Sequence, residues 1–221
     1  SRKKNLKNLY NSINWEYVTG WIIVYDSKFF KDLPSLFKDN SKIIELINEH
    51  PQSVSGNSQR SAALNYLFNK KIDCFIYFLD DDNIIHPNFY NIFNEFKKGK
   101  IYTFNQQKKS RSIRLGNDIR LHYIDMAMFS GDFSLIKDIR FKNEIYHADC
   151  KYIVDSYNKN KENYIYVDQI GSYYNYLQYN IVRRSFKRLK TYIYYNFIKK
   201  KITSFYFLIK IHWPIKLYTN V

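Results

Sequence analysis

Cysteine, methionine, proline and glycine are all scarce in this chain of 221 residues, which holds 2 Cys, 2 Met, 4 Pro and 6 Gly. Two thiols, Cys74 and Cys150, are too few for a disulfide framework or a zinc site, and they fit a reducing compartment. So little Pro and Gly leaves no stretch with linker composition, and no internal repeat is visible. No apolar run reaches the roughly 18 residues that a membrane-spanning helix needs, and the opening residues lack the pattern of a signal peptide. Acidic residues are also few, 20 Asp+Glu against 35 Lys+Arg, for a net charge of +15.

Aromatic residues are plentiful. The 22 Tyr, 17 Phe and 3 Trp carry far more apolar surface than a disordered chain leaves in water. The length suits one domain, or one domain with an appendage. The charge marks where that appendage starts. From Asn180 to Val221 there are ten Lys/Arg and no Asp or Glu, so +10 of the +15 sits in 42 residues. A body over 1–179 and a basic aromatic tail over 180–221 are therefore expected.

Within the body, Leu6, Leu9, Tyr10 and Ile13 have helical spacing. Trp21 to Tyr25 is an apolar run of strand length ending at Asp26, and Ile43 to Ile47 reads as a second strand. Gly56-Asn57-Ser58 predicts a break, with a helix from Ser61 to Phe68. Cys74 to Leu79 is a third strand, continuous and apolar as buried parallel strands are. Pro87 opens a helix to about Phe96; Ile101–Phe104 and Leu121–Phe129 read as strands, and helices follow near Ser134–Ile136 and Asp149–Tyr157. Alternation at this spacing predicts an α/β fold with a mainly parallel sheet. In such folds ligands bind beyond the carboxyl ends of the strands, where Asp26 and Asp80-Asp81-Asp82 are expected to stand.

Three consecutive aspartates repel one another, so the triplet needs a reason. A solvated acidic turn is the plain alternative. The apolar run before the triplet and Ile84-Ile85 after it favour a site instead. Hard carboxylate oxygens suit Mg²⁺ or Mn²⁺, which bind through one or two carboxylates together with substrate phosphates.

The order Val24-Tyr25-Asp26, then GNSQRSAALNYL (Gly56 to Leu67), then FIYFLDDDNIIHP (Phe75 to Pro87), resembles a glycosyltransferase of the GT-A fold, nearest the family 2-like inverting enzymes and the glucuronyltransferase-like group with a DDDN motif. The resemblance covers roughly residues 1–178. It implies a three-layer sandwich and transfer of a hexosyl group from a nucleotide diphosphate, UDP-linked, to a saccharide or lipid-linked acceptor of the kind used in polysaccharide synthesis. It also implies Mn²⁺ or Mg²⁺ as cofactor. By the same resemblance Asp26 would hold the nucleoside, Arg60 the diphosphate, Asp80 the ribose and Asp82 the metal, with Asp81 between them. Asp149 would be the general base that accepts the acceptor's hydroxyl proton, and His147 and Asp125 would stand on the acceptor side. Two departures are visible. Ser61 stands where the family has Asn after its Arg, and the family's first strand would precede Ser1, so the chain is expected to continue N-terminally. Asp168, after a strand, is expected to be structural.

In the tail, Val182, Phe186, Leu189, Ile193 and Phe197 form one stripe beside Arg183, Arg184, Lys187, Arg188 and Lys190. A basic helix with an aromatic face predicts an interfacial helix on an anionic membrane surface, and so a cytoplasmic enzyme peripheral to the inner face of a membrane. Packing of this helix on the body is the alternative. The rival functions are a basic module binding nucleic acid or membrane, a sugar-phosphate nucleotidyltransferase, and a non-catalytic scaffold. Nucleic acid fits least well, because the aspartates would repel a polyanion.

Overall fold

The computed structural model describes residues 2–28, 37, 39–49, 56–142 and 145–177. The expectations for the tail, 180–221, lie outside the described residues. Helix α1 (Arg2–Ser12) leads into strands β1 (Trp21–Asp26) and β2 (Ile43–Asn48), then helix α2 (Asn57–Asn69) and strand β3 (Phe75–Tyr77). Strand β4 (Ile84–Ile85), helix α3 (Phe89–Asn94), strand β5 (Ile101–Lys108) and strand β6 (Ile113–Arg114) follow. The described chain closes with β7 (Phe129–Asp132), α4 (Phe133–Ile136), α5 (Ala148–Lys159) and β8 (Tyr164–Tyr174).

The α/β class holds, but the expected mainly parallel sheet is corrected to a mixed one. β1 and β2 pair in parallel as a sheet of two. The larger sheet runs β3-β7-β5-β8-β4, with β6 hydrogen-bonded to β5 beyond the reach of β7. In it only β5 and β8 are parallel; the other pairs are antiparallel. The physical reason is the short connections: β6 returns on β5 through a tight hairpin, and neither it nor β7 has the crossover helix that a parallel neighbour needs.

Helices cover both faces of this sheet. Ile76 and Tyr77 are neighbours on β3 and so point to opposite faces. Ile76 joins a core with Leu64 of α2, Phe133 and Ile136 of α4 and Ile153 of α5. Tyr77 packs into a second core with Phe89 and Ile92 of α3 and Phe104 of β5. Each fully buried side chain of this size contributes roughly 1.5–3 kcal/mol. In α5 the buried residues Ala148, Tyr152, Ile153 and Ser156 recur at helical spacing and form its inner face.

Several expected boundaries move. The helix expected from Ser61 begins at Asn57, after Gly56 in a left-handed conformation (φ 76°). The third strand shrinks to three residues. The strand expected over Leu121–Phe129 is absent. His122 takes a left-handed φ of 69°, and Asp125 accepts a hydrogen bond from the Ala127 N–H (3.0 Å), capping a 3₁₀ turn over Met126–Met128. The strand starts only at Phe129. Asp168 lies inside β8 rather than after a strand, where it accepts from Asn105 Nδ2 and Tyr166 Oη, both at 2.8 Å.

β8 itself is interrupted. Its register against β5 slips between Phe104 and Gln106, placing Asn105 opposite Ile170 and Gln106 opposite Ser172. Such bulges re-aim side chains beside functional sites. Gly171 lies in the irregular stretch, where an added Cβ would run into the buried Phe104 ring. Gly171→Ala is therefore expected to destabilise the chain by about 1–3 kcal/mol, read as a lower thermal midpoint. An unchanged midpoint would mean that the ring has room to move.

Candidate active site

β3 delivers the aspartate triplet into a turn, and that turn is pinned at its far end. The Asp80 carbonyl accepts from the Asn83 N–H at 3.1 Å, and the Asp82 carbonyl from the Leu177 N–H at 2.8 Å. Asn83 is buried, and its Oδ1 accepts from the Asn175 N–H at 2.8 Å. The acidic turn is thus stapled to the chain leaving β8, which limits how far mutual repulsion can open it.

Arg60 answers part of that repulsion. Its Nη2 donates to Asp80 Oδ1 at 2.5 Å; 13% of the Arg60 side chain and 41% of the Asp80 side chain remain exposed. The guanidinium also donates to Asn57 Oδ1 (3.3 Å) and lies 5.7 Å from the Phe141 ring centre. Asn57 in turn donates through Nδ2 to the carbonyls of Lys142 (3.2 Å) and Ile145 (3.0 Å). This explains why Asn57 begins the helix instead of breaking it. The first turn of α2 ties the aspartate turn to the loop that leads into α5.

Asp125 stands across from that pair. Its Oδ1 accepts from Ala127 N–H and from Gln106 Nε2 (3.2 Å), while Oδ2 lies 3.7 Å from an Arg114 nitrogen. Only 13% of its side chain is exposed. Burial first, and the nearby Asp80 charge second, push its carboxyl up to about 6, against the opposing pull of the two hydrogen bonds and Arg114. Two facing carboxylates, Asp80 and Asp125, are thus each backed by one arginine, Arg60 and Arg114. The Arg114 guanidinium is held over the Tyr174 ring at 4.7 Å and makes no hydrogen bond among the described residues. Gln106 Oε1 is buried without a hydrogen-bond partner.

The remaining acceptor-side candidates, Asp149 and His147, stand at the start of α5, which is tied to the segment that carries Asp125. Asp149 lies in the first turn of α5, where a carboxylate complements the helix dipole, and its Oδ1 accepts from the Cys150 N–H at 2.8 Å. Cys150 donates through Sγ to the Ile124 carbonyl at 2.9 Å, tying α5 to the segment that carries Asp125. Burial pushes this thiol up to about 11, and the charges of Asp149 and Asp125 add to the effect. His147 precedes α5, with its ring 3.7 Å from that of His122.

The sequence candidates thus separate. Arg60 and Asp80 are in contact, the Asp80 charge acts on Asp125, and Asp149 and His147 connect only indirectly, through Cys150 and His122, to the segment that carries Asp125. Asp81 and Asp82 are half-buried in the pinned turn. Asp26 ends β1 and uses Oδ1 to accept from the Lys28 N–H at 2.8 Å, closing its own turn. Sequence reasoning missed Gln106, Arg114 and His122. The only trace of Arg114 in the sequence was a short basic stretch, Lys108 to Arg114.

Among the described residues no three His, Cys, Asp or Glu converge as a metal site. The donors of the triplet therefore fit a hard divalent cation only when a ligand brings further oxygens, as a diphosphate does. Among the described residues, too, no helix is long and apolar enough to cross a membrane. Compared with known proteins, the sequence matches no family model and no curated protein.

Proposed function

We propose that this chain is an inverting, metal-dependent glycosyltransferase of GT-A-like architecture. It moves a hexosyl group from UDP onto a saccharide or lipid-linked acceptor at the cytoplasmic face of a membrane. The observation that carries this reading is the pairing of Arg60 with Asp80 at the end of an apolar strand, with a second, buried carboxylate, Asp125, close enough to feel the first. A cation beside clustered carboxylates suits a ligand that is both anionic and rich in hydroxyls.

In this reading Asp26 holds the nucleoside, Asp80 and Asp81 the ribose side, and Arg60 the diphosphate. Asp82 would hold Mn²⁺ or Mg²⁺, which when bound offsets the charge of a departing diphosphate. Arg60 adds its own positive charge at the same place, in a position fixed by Asn57 and Phe141 before substrate arrives. Asp149 takes the acceptor's proton as its oxygen forms the new bond to sugar C1. The bond from C1 to the diphosphate breaks, and UDP leaves with the electron pair. Asp125 and His147 position the acceptor.

The test is release of UDP from a panel of UDP-sugars with saccharide acceptors and Mn²⁺. Asp149→Asn is expected to keep donor binding and to lose transfer by roughly a hundredfold or more. Unchanged transfer in that variant would move the base to Asp125. No UDP release from any donor by the unaltered chain would sink the reading.

A further inference from the structure

Seven large apolar side chains are exposed among the described residues, and six of them lie on segments that ring and cation contacts link to one another. Ile113 and Leu115 flank Arg114 on the β5–β6 hairpin, and Leu121 sits on the following turn. Ile145 and Tyr146 precede α5, and Tyr176 follows β8. Tyr146 is 68% exposed and Ile113 50%. Ring and cation contacts join these segments. Lys109 Nζ lies 5.7 Å from the Tyr176 ring, and Arg114 lies 6.0 Å from the Tyr123 ring. His122 meets His147, whose ring is 5.1 Å from that of Tyr146. Only Phe68, at the end of α2, stands apart.

Isolated apolar residues on a surface need no explanation, but a joined set does. This set is also basic. Between 108 and 123 the chain carries Lys108, Lys109, Arg111, Arg114 and Arg120 against a single acidic residue, Asp118. Apolar side chains interleaved with Lys and Arg complement a bilayer surface that is negatively charged at the headgroups and apolar just beneath. A polyanion such as nucleic acid would use the cations and leave the aliphatic side chains without a role. A neutral protein partner would leave the cations without one.

We propose that this rim, formed by the β5–β6 hairpin with the 121–123 and 145–147 loops, is a membrane-docking face that sits on anionic lipid. All of its residues belong to the body of the protein, within 108–176, and none to the basic tail sequence. Because Arg114 and Tyr123 border Asp125, docking would turn the candidate acceptor side toward the bilayer. The inference does not depend on sugar transfer, and its readout is independent of turnover.

The experiment uses the full chain with Cys74→Ser, so that the remaining native thiol, Cys150, is buried. Leu121→Cys, Tyr146→Cys and, as a control off the rim, Phe68→Cys are each labelled with an environment-sensitive fluorophore. Vesicles contain phosphatidylcholine and phosphatidylglycerol in equal amounts, or phosphatidylcholine alone. The expected result is a blue shift at 121 and 146 with the anionic vesicles, and none at 68. Adding Lys109→Gln and Arg111→Gln should weaken partition by about 25-fold, at roughly fivefold per cation. A chain that sediments with vesicles without a shift at 121 or 146 is held by its tail alone, and the proposal falls. It falls equally if the shift appears only with a single-stranded oligonucleotide, or with neither probe.

Discussion

Asp125→Asn is expected to make the protein more stable at pH 8 and to leave its stability nearly unchanged at pH 4. The carboxyl of Asp125 stays protonated up to about 6 in the fold, against about 3.9 in an unfolded chain. The native state therefore holds this proton more tightly than the unfolded state does. The stability linked to the neutral form is complete below the unfolded value and is lost as pH rises through about 6. Above that, the ionised group costs roughly 3 kcal/mol, which asparagine would spare, because it mimics the neutral acid and can still accept from Ala127 and Gln106. Thermal midpoints should rise by roughly 6–12 °C at pH 8. A drop at pH 8 would mean that the ion pair with Arg114 outweighs the cost of burial. A carboxylate kept at such a cost is a functional candidate on physical grounds, since residues that serve packing alone do not need to be charged.

The second large effect concerns the aspartate turn. Asp82→Ala is expected to remove metal-dependent turnover, by roughly a thousandfold if bound metal supplies several kcal/mol of charge stabilisation. The thermal midpoint should stay near that of the unaltered chain. The turn is held by backbone bonds from Asn83 and Leu177 and by the buried Asn83 side chain, none of which uses the Asp82 carboxylate. Removing one of three adjacent negative charges also relieves repulsion. Full activity in this variant would remove Asp82 from the metal role. Collapse of the midpoint would show that its carboxylate is a structural tie.

The contrast between legible and illegible parts of the fold follows from where the information lies. β1 and β2 were readable because WIIVY and IIELI are short apolar runs bounded by polar residues, a local signal. The stretch 121–129 has a similar apolar content, yet a left-handed His122 and the Asp125 cap bend it into turns before a strand begins. β8 resisted reading because Asp168, Gln169 and Gly171 interrupt it, and the bulge makes sense only against β5. The mixed direction of the sheet was hidden for the same reason, since strand pairing is a long-range property. In the site, Arg60 and Asp80 were legible from residue type and local context. Gln106 and Arg114 were not, because only the pairing of β5 with β6 and the turn after it bring them to Asp125.

The central claim is that the Arg60–Asp80 region is a nucleotide-diphosphate site, and calorimetric titration of UDP into the purified chain, with and without Mn²⁺, tests it most directly. The account predicts binding that requires Mn²⁺ and disappears in Asp82→Ala. UDP that fails to bind in either condition, or that binds equally well with and without the metal and in Asp82→Ala, would contradict it.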